Sequence, residues 1–458
     1  MKTRDDMKIL NKIIEYGILL FVFLIPWQAR LILQEGSING DLPAESAGYW
    51  EYGTKSLYAT EVLLLIILIA VIIRGAIYIA KAKPRFNLKR VFSPAGALLL
   101  LIIWAGATII WSIDPNIALE RWIVLVEAIA VFLILSSGAV SFKKLSWAII
   151  LSGLIQALFG LYQFLLQEVP SSTWIGIASQ KAEDLGVSVV ETDLRRWLRA
   201  YGTFSHPNML GGWLVLSLML VIDKMKAQSQ SLIDVLRYPI YIVLLFGLLA
   251  TFSRSAWLGF GVFLIGFVIM LFVRKKWMQG IKIILISILS VACFYSLFSE
   301  PMNTRLGLQG RLEIKSNMER VSSMNQGWEI IKKHPMLGVG IGNFGLVVHD
   351  EIDDSQQAWF YQPVHNVLLL VWAELGIVGV IFVLLFLLLS LLGVSSTLRT
   401  TRQSYHRNDT VIFLIPLIII FLLDHYPWSL YAGMMISAVF LGMSILYARE
   451  ASSRQWLS

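Results

Sequence analysis

A single cysteine, Cys293, occurs in the 458 residues, and it lies inside an apolar run. That excludes an intrachain disulfide, a thiolate metal cluster and a cysteine-based zinc site. Charge is scarce too: Asp, Glu, Lys and Arg make up 15% of the chain, against 57% hydrophobic residues and a mean hydropathy of +0.70. A soluble core wrapped in a solvated charged surface is excluded by that balance. Internal repeats and low-complexity segments are absent, which weighs against an inverted-repeat transporter. The six histidines are scattered with no H-x-x-x-H spacing, so no metal and no cofactor is expected.

What the chain has instead is a series of apolar runs of about 20 residues, each long enough to cross a bilayer as a helix. The predicted fold is all-α, a polytopic helical membrane protein with about twelve spans in one membrane domain, residues 1–458. The spans are placed near 13–33, 57–80, 92–112, 117–140, 145–167, 208–222, 238–252, 255–273, 281–298, 365–393, 410–424 and 429–448. The first is too long for a signal-peptide core and lacks a small-x-small cleavage site, so it is expected to be retained.

The net charge of +8 reflects topology rather than nucleic acid. Of the 38 Lys and Arg, 23 fall in the alternate loops that this layout makes cytoplasmic, where only seven acids accompany them. Short basic loops on one side predict cytoplasmic termini. The other face then carries the long loops, near 34–56, 168–207 and 299–364, and any chemistry is expected there. Within the last, Asn317 to Lys333 reads as an amphipathic helix with Met324, Trp328 and Ile331 on one face, lying on the bilayer surface or against the spans.

Six features stand out along this face. Arg254, in Thr251-Phe-Ser-Arg-Ser-Ala-Trp-Leu258, opens a span next to hydrocarbon, where an unpaired charge is costly. It faces either an anionic partner in the bundle or the headgroups. Arg199 precedes Gly202 and the helix-opening Pro207-Asn208, whereas Arg195 and Arg196 read as a solvated loop face. Arg320 lies in the amphipathic helix that Lys332 and Lys333 close, and with Arg199 and Arg254 would form a cationic pocket suited to phosphate oxygens. Asp424 ends the eleventh span, either orienting an arginine or His365 or merely terminating the helix. Glu120, Arg121 and Glu127, inside the fourth span, read as structural groups that pair with each other or with neighbours.

The sixth feature is the stretch from His334 to Gly379, which passes from a glycine-rich loop into an apolar helix at His365-Asn366. On a straight helix Gly376 falls within roughly 20° of His365 and Gly379 roughly 40° to the other side. Two glycines on that face would admit a close second helix and fix the imidazole; ordinary small-residue packing is the plainer reading. The series Gly338-Val-Gly340-Ile-Gly342 lacks a preceding strand and a following Gly-Lys-Ser/Thr, so it is expected to be a tight turn near the bilayer rather than a nucleotide loop.

Together these motifs resemble the O-antigen ligase and O-antigen polymerase superfamily of bacterial membrane glycosyltransferases. The residues that carry the likeness are His365-Asn366 with nine residues to Gly376-x-x-Gly379, Arg254-x-x-x-Leu258, and Arg199 ahead of Gly-Thr-Phe and Pro-Asn. Arg320 before the Trp328 helix and Pro335 ahead of Gly338-Val-Gly340 add to it. The resemblance implies a GT-C-type enzyme that takes a glycan from a polyprenyl-pyrophosphate carrier to a lipid, glycan or protein acceptor. It would do so with inversion, without metal, on the outer face of the cytoplasmic membrane. His365 and Arg254 would be catalytic, Arg199, Arg320 and Asp424 substrate-binding, and Gly338, Gly340, Gly376 and Gly379 structural. A polymerase acting on the carrier-linked chain is the nearest alternative; a transporter or flippase is the other.

Overall fold

Proline and small polar residues set where the helices of this membrane protein begin. In the computed structural model, which describes residues 2–38, 50–82, 93–225, 232–308, 310–399 and 404–453, α1 (Lys2–Leu24) stops ahead of Pro26. A hairpin of β1 (Arg30–Gln34) and β2 (Lys55–Tyr58) then leads into α2 (Ala59–Ala82). The first expected span, 13–33, is therefore too long: the proline removes a helical donor, and the apolar Leu31-Ile-Leu33 continues as strand. The second starts at Ala59 rather than 57 because Lys55–Tyr58 is strand.

Ser93 caps α3 (Pro94–Ala107) through Gly96 N, and Asp114 caps α4 (Pro115–Ser136) through Asn116 N and Ile117 N. Each cap precedes a proline at the first helical position, where its missing N–H costs nothing. α5 (Phe142–Leu166) follows, and then two short hairpins: β3 (Glu168–Val169) with β4 (Gln180–Lys181), and β5 (Val189–Glu191) with β6 (Arg196–Leu198). Next come α6 (Pro207–Met225), α7 (Leu232–Ala250), α8 (Arg254–Val273) and α9 (Trp277–Leu297). The third long segment holds α10 (Ser299–Gly307), α11 (Arg311–Lys333) and α12 (Phe344–Glu351). The chain closes with α13 (Val367–Arg399), α14 (Ser404–Leu423), the short α15 (Tyr426–Ser429) and α16 (Tyr431–Ser453).

Among the described residues eight helices are long and apolar enough to cross a membrane, and 235–250 and 412–423 are shorter apolar segments. α1 and α4, expected as spans, are helical as well. The basic residues within 83–90, 226–231 and 400–403, and positions 39–49 of the first long loop, lie outside the described residues. α6 is buried along almost its whole length, whereas α2 turns Leu65, Ile66, Ile69 and Ile72 outward. Such an apolar exterior belongs against acyl chains.

Of the two arrangements expected for the charges in α4, Arg121 takes the one with neighbours. Arg121 does not pair with Glu120 or Glu127; it donates to the carbonyls of Ser429 (2.7 Å) and Tyr52 (3.2 Å), tying α4 to α15. Glu127 Oε2 is buried without a hydrogen-bond partner. The amphipathic helix starts six residues earlier than expected, at Arg311, and packs on α13: Trp328 meets Trp372 edge-on at 5.9 Å, and Ile331 is buried. Trp328 and Met324 remain partly exposed.

Gly376 and Gly379 do not serve a second helix. Gly376 has φ 67° and ψ −175°, a conformation closed to other residues, and it breaks α13. Into the break comes the backbone of 335–340: Val339 N donates to Ala373 O (3.0 Å), Gly340 N to Glu374 O (2.9 Å) and Ile377 N to Pro335 O (3.0 Å). A Cβ on Gly376 would lie 2.1 Å from Met336 O, and one on Gly338 (φ 69°) 2.4 Å from Glu374 O. One on Gly379 would meet Leu375 of its own helix. Trp372 Nε1, Trp104 Nε1 and Trp111 Nε1 donate to Pro335 O, Leu375 O and Gly338 O around the same junction. The straight-helix projection failed because it carried a regular 100° step through a residue that is not helical. Gly376→Ala should lower stability by about 1–3 kcal/mol from backbone strain alone, with the Met336 clash added. A melting temperature in detergent equal to wild type would refute the interlock.

Candidate functional site

The ends of six elements meet at one end of the bundle: the start of α6, the α7–α8 turn, α10, α11, the entry to α13 and the α14–α15 junction. In the turn, Phe252 takes φ 48°, and Trp257 Nε1 donates back to Leu248 O (3.0 Å). That geometry makes Arg254 the first residue of α8, half-buried and pointing at α11. Its guanidinium lies 3.5 Å from Glu313 Oε2 and donates to Asn317 Oδ1 at 3.0 Å. The anionic partner expected for this arginine is thus Glu313.

Glu313 is shared. Arg305, buried on α10, pairs with its other oxygen and donates from Nε to Phe252 O at 2.8 Å. Glu313, Asn317 and Arg320 recur at i, i+4 and i+7, so one strip of α11 faces the cluster. Arg320 donates to Leu423 O (3.0 Å), and its Nε is buried without a partner.

A second string of contacts runs from Arg199 to His365. Arg199 is buried; Nε donates to Thr251 O (2.7 Å) and a terminal nitrogen to Asn208 Oδ1 (2.6 Å). Asn208 Nδ2 in turn donates to Asp424 Oδ2 (2.6 Å). Asp424 Oδ1 accepts from His425 N (3.0 Å) and lies 3.6 Å from His365 Nδ1, a distance of charge attraction rather than a hydrogen bond. Asn366 caps α13 by accepting from Leu369 N (2.9 Å), which sets the chain direction at His365. The rings of His365 and His425 are 4.7 Å apart.

The electrostatics follow from burial. Arg199 is pulled down to about 9, first by loss of solvent and then by the charge of Arg305. Arg305 is lowered for the same first reason. Burial alone would raise Asp424, but its contacts with His365, then the charges of His425 and Arg320, hold it well below the ordinary carboxylate range. His206 falls to about 3 through burial and the nearby Arg199 charge; His425 falls to about 3 through burial and His365. His206 accepts Asn208 N at Nδ1 and meets Ser188 Oγ at Nε2, as a neutral ring requires. Four guanidinium groups therefore face two carboxylates with two neutral imidazoles between them. The surplus is positive, and the arrangement suits an anion carrying several oxygens.

All five charged residues singled out from the sequence, His365, Arg254, Arg199, Arg320 and Asp424, take part. Arg195 and Arg196 do not: the first stacks on Trp197 (3.5 Å) and the second donates to the carbonyls of Glu183 and Asp184. Lys333 pairs with Glu351. Arg305, Glu313, Asn208, His206 and His425 were missed as members. The helical spacing of Glu313 to Arg320 was a readable signal, and so was His206 beside Pro207-Asn208; nothing local marked Arg305. The histidines are also less scattered than the sequence suggested, because α13 and the α14–α15 junction bring His365, Asp424 and His425 donor atoms within 4.8 Å of one another. By type this set would suit a divalent ion such as zinc. Asp424 is already engaged by Asn208 and His425 N, and His425 Nδ1 by Ser429 Oγ (2.7 Å).

A family model described as O-antigen ligase matches residues 239–384, from α7 into α13, and that stretch contains Arg254, Arg305, Glu313, Arg320, His365, Gly376 and Gly379. No curated protein matches the chain.

The depressed histidines set a pH response. An imidazole that binds its proton near 3 when folded and near 6.5 when unfolded lets the unfolded chain take up more protons between those values, so stability falls as pH drops through that window. Each should cost on the order of 1–2 kcal/mol by pH 5. Melting curves from pH 7.5 to 5 should show the decline, with His206→Gln less acid-sensitive than wild type. Parallel profiles for the two proteins would contradict the assignment.

Proposed function

We propose, because residues 239–384 match a family model described as O-antigen ligase, that this chain is a glycosyltransferase of surface-polysaccharide assembly. It takes a glycan from a polyprenyl-pyrophosphate carrier and joins it to an acceptor hydroxyl on the outer face of the cytoplasmic membrane. The single observation that carries this reading is the convergence of four arginines with His365 and Asp424 at one end of an apolar bundle.

The chemistry follows from the roles these groups can fill. The acceptor oxygen attacks the anomeric carbon, the carbon–oxygen bond to pyrophosphate breaks, and the bond's electron pair leaves with the phosphate. Negative charge grows on that oxygen, and fixed guanidinium groups in a site of low polarity stabilise it. Arg254 is the leading candidate, being more exposed than the buried Arg199 and Arg305; Arg199 and Arg320 support it. Asp424 faces His365 Nδ1 and favours the tautomer with its hydrogen there, which leaves Nε2 free to receive the acceptor's proton. The 3.6 Å separation is of the kind that tightens when substrate binds. Attack opposite the leaving group inverts the anomeric centre. The arginines supply the charge that a metal otherwise would, so we assign no metal to the step.

His365→Ala and Arg254→Ala should each reduce transfer at least about 100-fold while membrane insertion persists, as read from glycan blots of cells expressing each variant. Arg254→Lys should also be severely impaired, since an ammonium lacks the guanidinium fork. Near-normal transfer by either alanine variant would remove that residue from the site. Washing membranes with EDTA should leave transfer unchanged; loss that zinc restores would make the His365–Asp424–His425 set a metal centre. A product that grows one repeat at a time on its carrier would identify a polymerase. A glycan that crosses the membrane still attached to pyrophosphate, with no cleavage, would identify a transporter.

A further inference from the structure

A cavity of about 470 Å³, with polar and apolar lining in similar measure, includes His365 in its wall. Its size falls in the range of small-ligand sites, roughly 300–1,000 Å³. It is lined by a face of α11 that includes Lys315, Ser322, Ser323 and Gln326, by the turn at 358–360 with Gln362, by the segment 185–187, and by His365. The cavity face of α11 and the strip bearing Glu313, Asn317 and Arg320 are neighbours on the same helix. α11 therefore serves the arginine cluster on one side and this cavity on the other.

The charges here are each paired or held, whereas in the cluster four arginines share two carboxylates. Arg311 pairs with Glu191 (2.8 Å), and Arg196 is held by two main-chain carbonyls. Lys315 lies 3.8 Å from Glu319 and 5.2 Å from the Trp359 ring centroid. What remains for a ligand is hydroxyl and amide groups beside a large aromatic ring. Trp359 is 48% exposed, unusual for an indole in a recess. The ring is restrained by Nε1 donating to Gln357 Oε1 (2.7 Å), and the main chain beside it by Gln362 Nε2 donating to Trp359 O (2.8 Å). Such prior restraint lowers the ordering cost of binding. An aromatic face with a rim of amides and hydroxyls fits a sugar ring: its C–H face lies on the indole and its hydroxyls exchange hydrogen bonds with the rim.

We infer that this cavity seats the acceptor, and that the acceptor is a saccharide whose terminal sugar stacks on Trp359 and presents its hydroxyl to His365; this rests on the transferase reading above. The donor is assigned elsewhere because its pyrophosphate needs the surplus positive charge of the cluster, where Arg320 on the other strip of α11 meets Arg199, Arg254 and Arg305 from neighbouring elements.

The test uses the full chain in membranes, with donor and acceptor lipid fractions extracted from the cells that make the polysaccharide. Trp359→Ala should raise the KM for acceptor about 3- to 10-fold, the scale of one aromatic stacking contact, and leave the KM for donor within error. Trp359→Phe should recover most of the loss, and Gln326→Ala should shift the same constant in the same direction. An acceptor KM unchanged in both Trp359→Ala and Gln326→Ala would overturn the assignment. A rise confined to the donor KM would overturn it too, by placing donor sugar in the cavity. Wild-type membranes that transfer to no fraction would count against the transferase reading itself, a different failure from either of these.

Discussion

Holding several guanidinium groups together away from bulk water is the constraint on which this architecture depends. Each carries a desolvation cost that only close acceptors offset, and their mutual repulsion adds to it. The protein meets this with carbonyls from tight helix ends: Thr251 O for Arg199, Phe252 O for Arg305, Leu423 O for Arg320. Helix C-termini supply such carbonyls because their last C=O groups have no partner within the helix. Glu313 and Asp424 contribute the remaining compensation, and they fall short of full neutrality. A bundle that ends its helices here therefore creates both the support for the arginines and the residual attraction for an anion.

The same economy shapes the neighbourhood of His365. Asp424 is fixed by Asn208 and by the amide of His425, so it has little freedom to follow a moving imidazole. His206 and His425 remain neutral at ordinary pH and add no charge to an already positive region. Of the three imidazoles gathered at the site, His365 alone opens onto the cavity. Position, more than residue type, separates its role from theirs.

Much of this was legible in the sequence, and the reasons are specific. Arg254 stood out because charge at the mouth of an apolar segment is costly, and cost implies purpose or partner; Arg199 stood out beside a helix-opening turn, Arg320 in an amphipathic helix, and Asp424 at the end of a span. The spans were legible because the bilayer demands a length. Arg305 was not, since its environment is built by α10 folding onto the α7–α8 turn, a contact with no local signature. Gly376 was misread by treating a glycine as a small helical residue when its backbone angles are what the fold uses. The overlong first span came from following hydrophobicity through Pro26, where hydrogen-bond supply decided the end.

The stitched junction around Gly376 also bears on how such a chain tolerates changes of length. Because residues 335–340 are bonded to 373–377, the reach from α11 to α13 is fixed at its base, and the intervening excursion is free to vary only at its tip. Residues 353–356, largely exposed, would absorb an insertion with the base untouched. One extra residue between His365 and Gly376 would instead turn the imidazole by about 100° relative to the junction. Chains of this architecture should accordingly differ in size at the tip while the eleven-residue step from histidine to glycine stays constant.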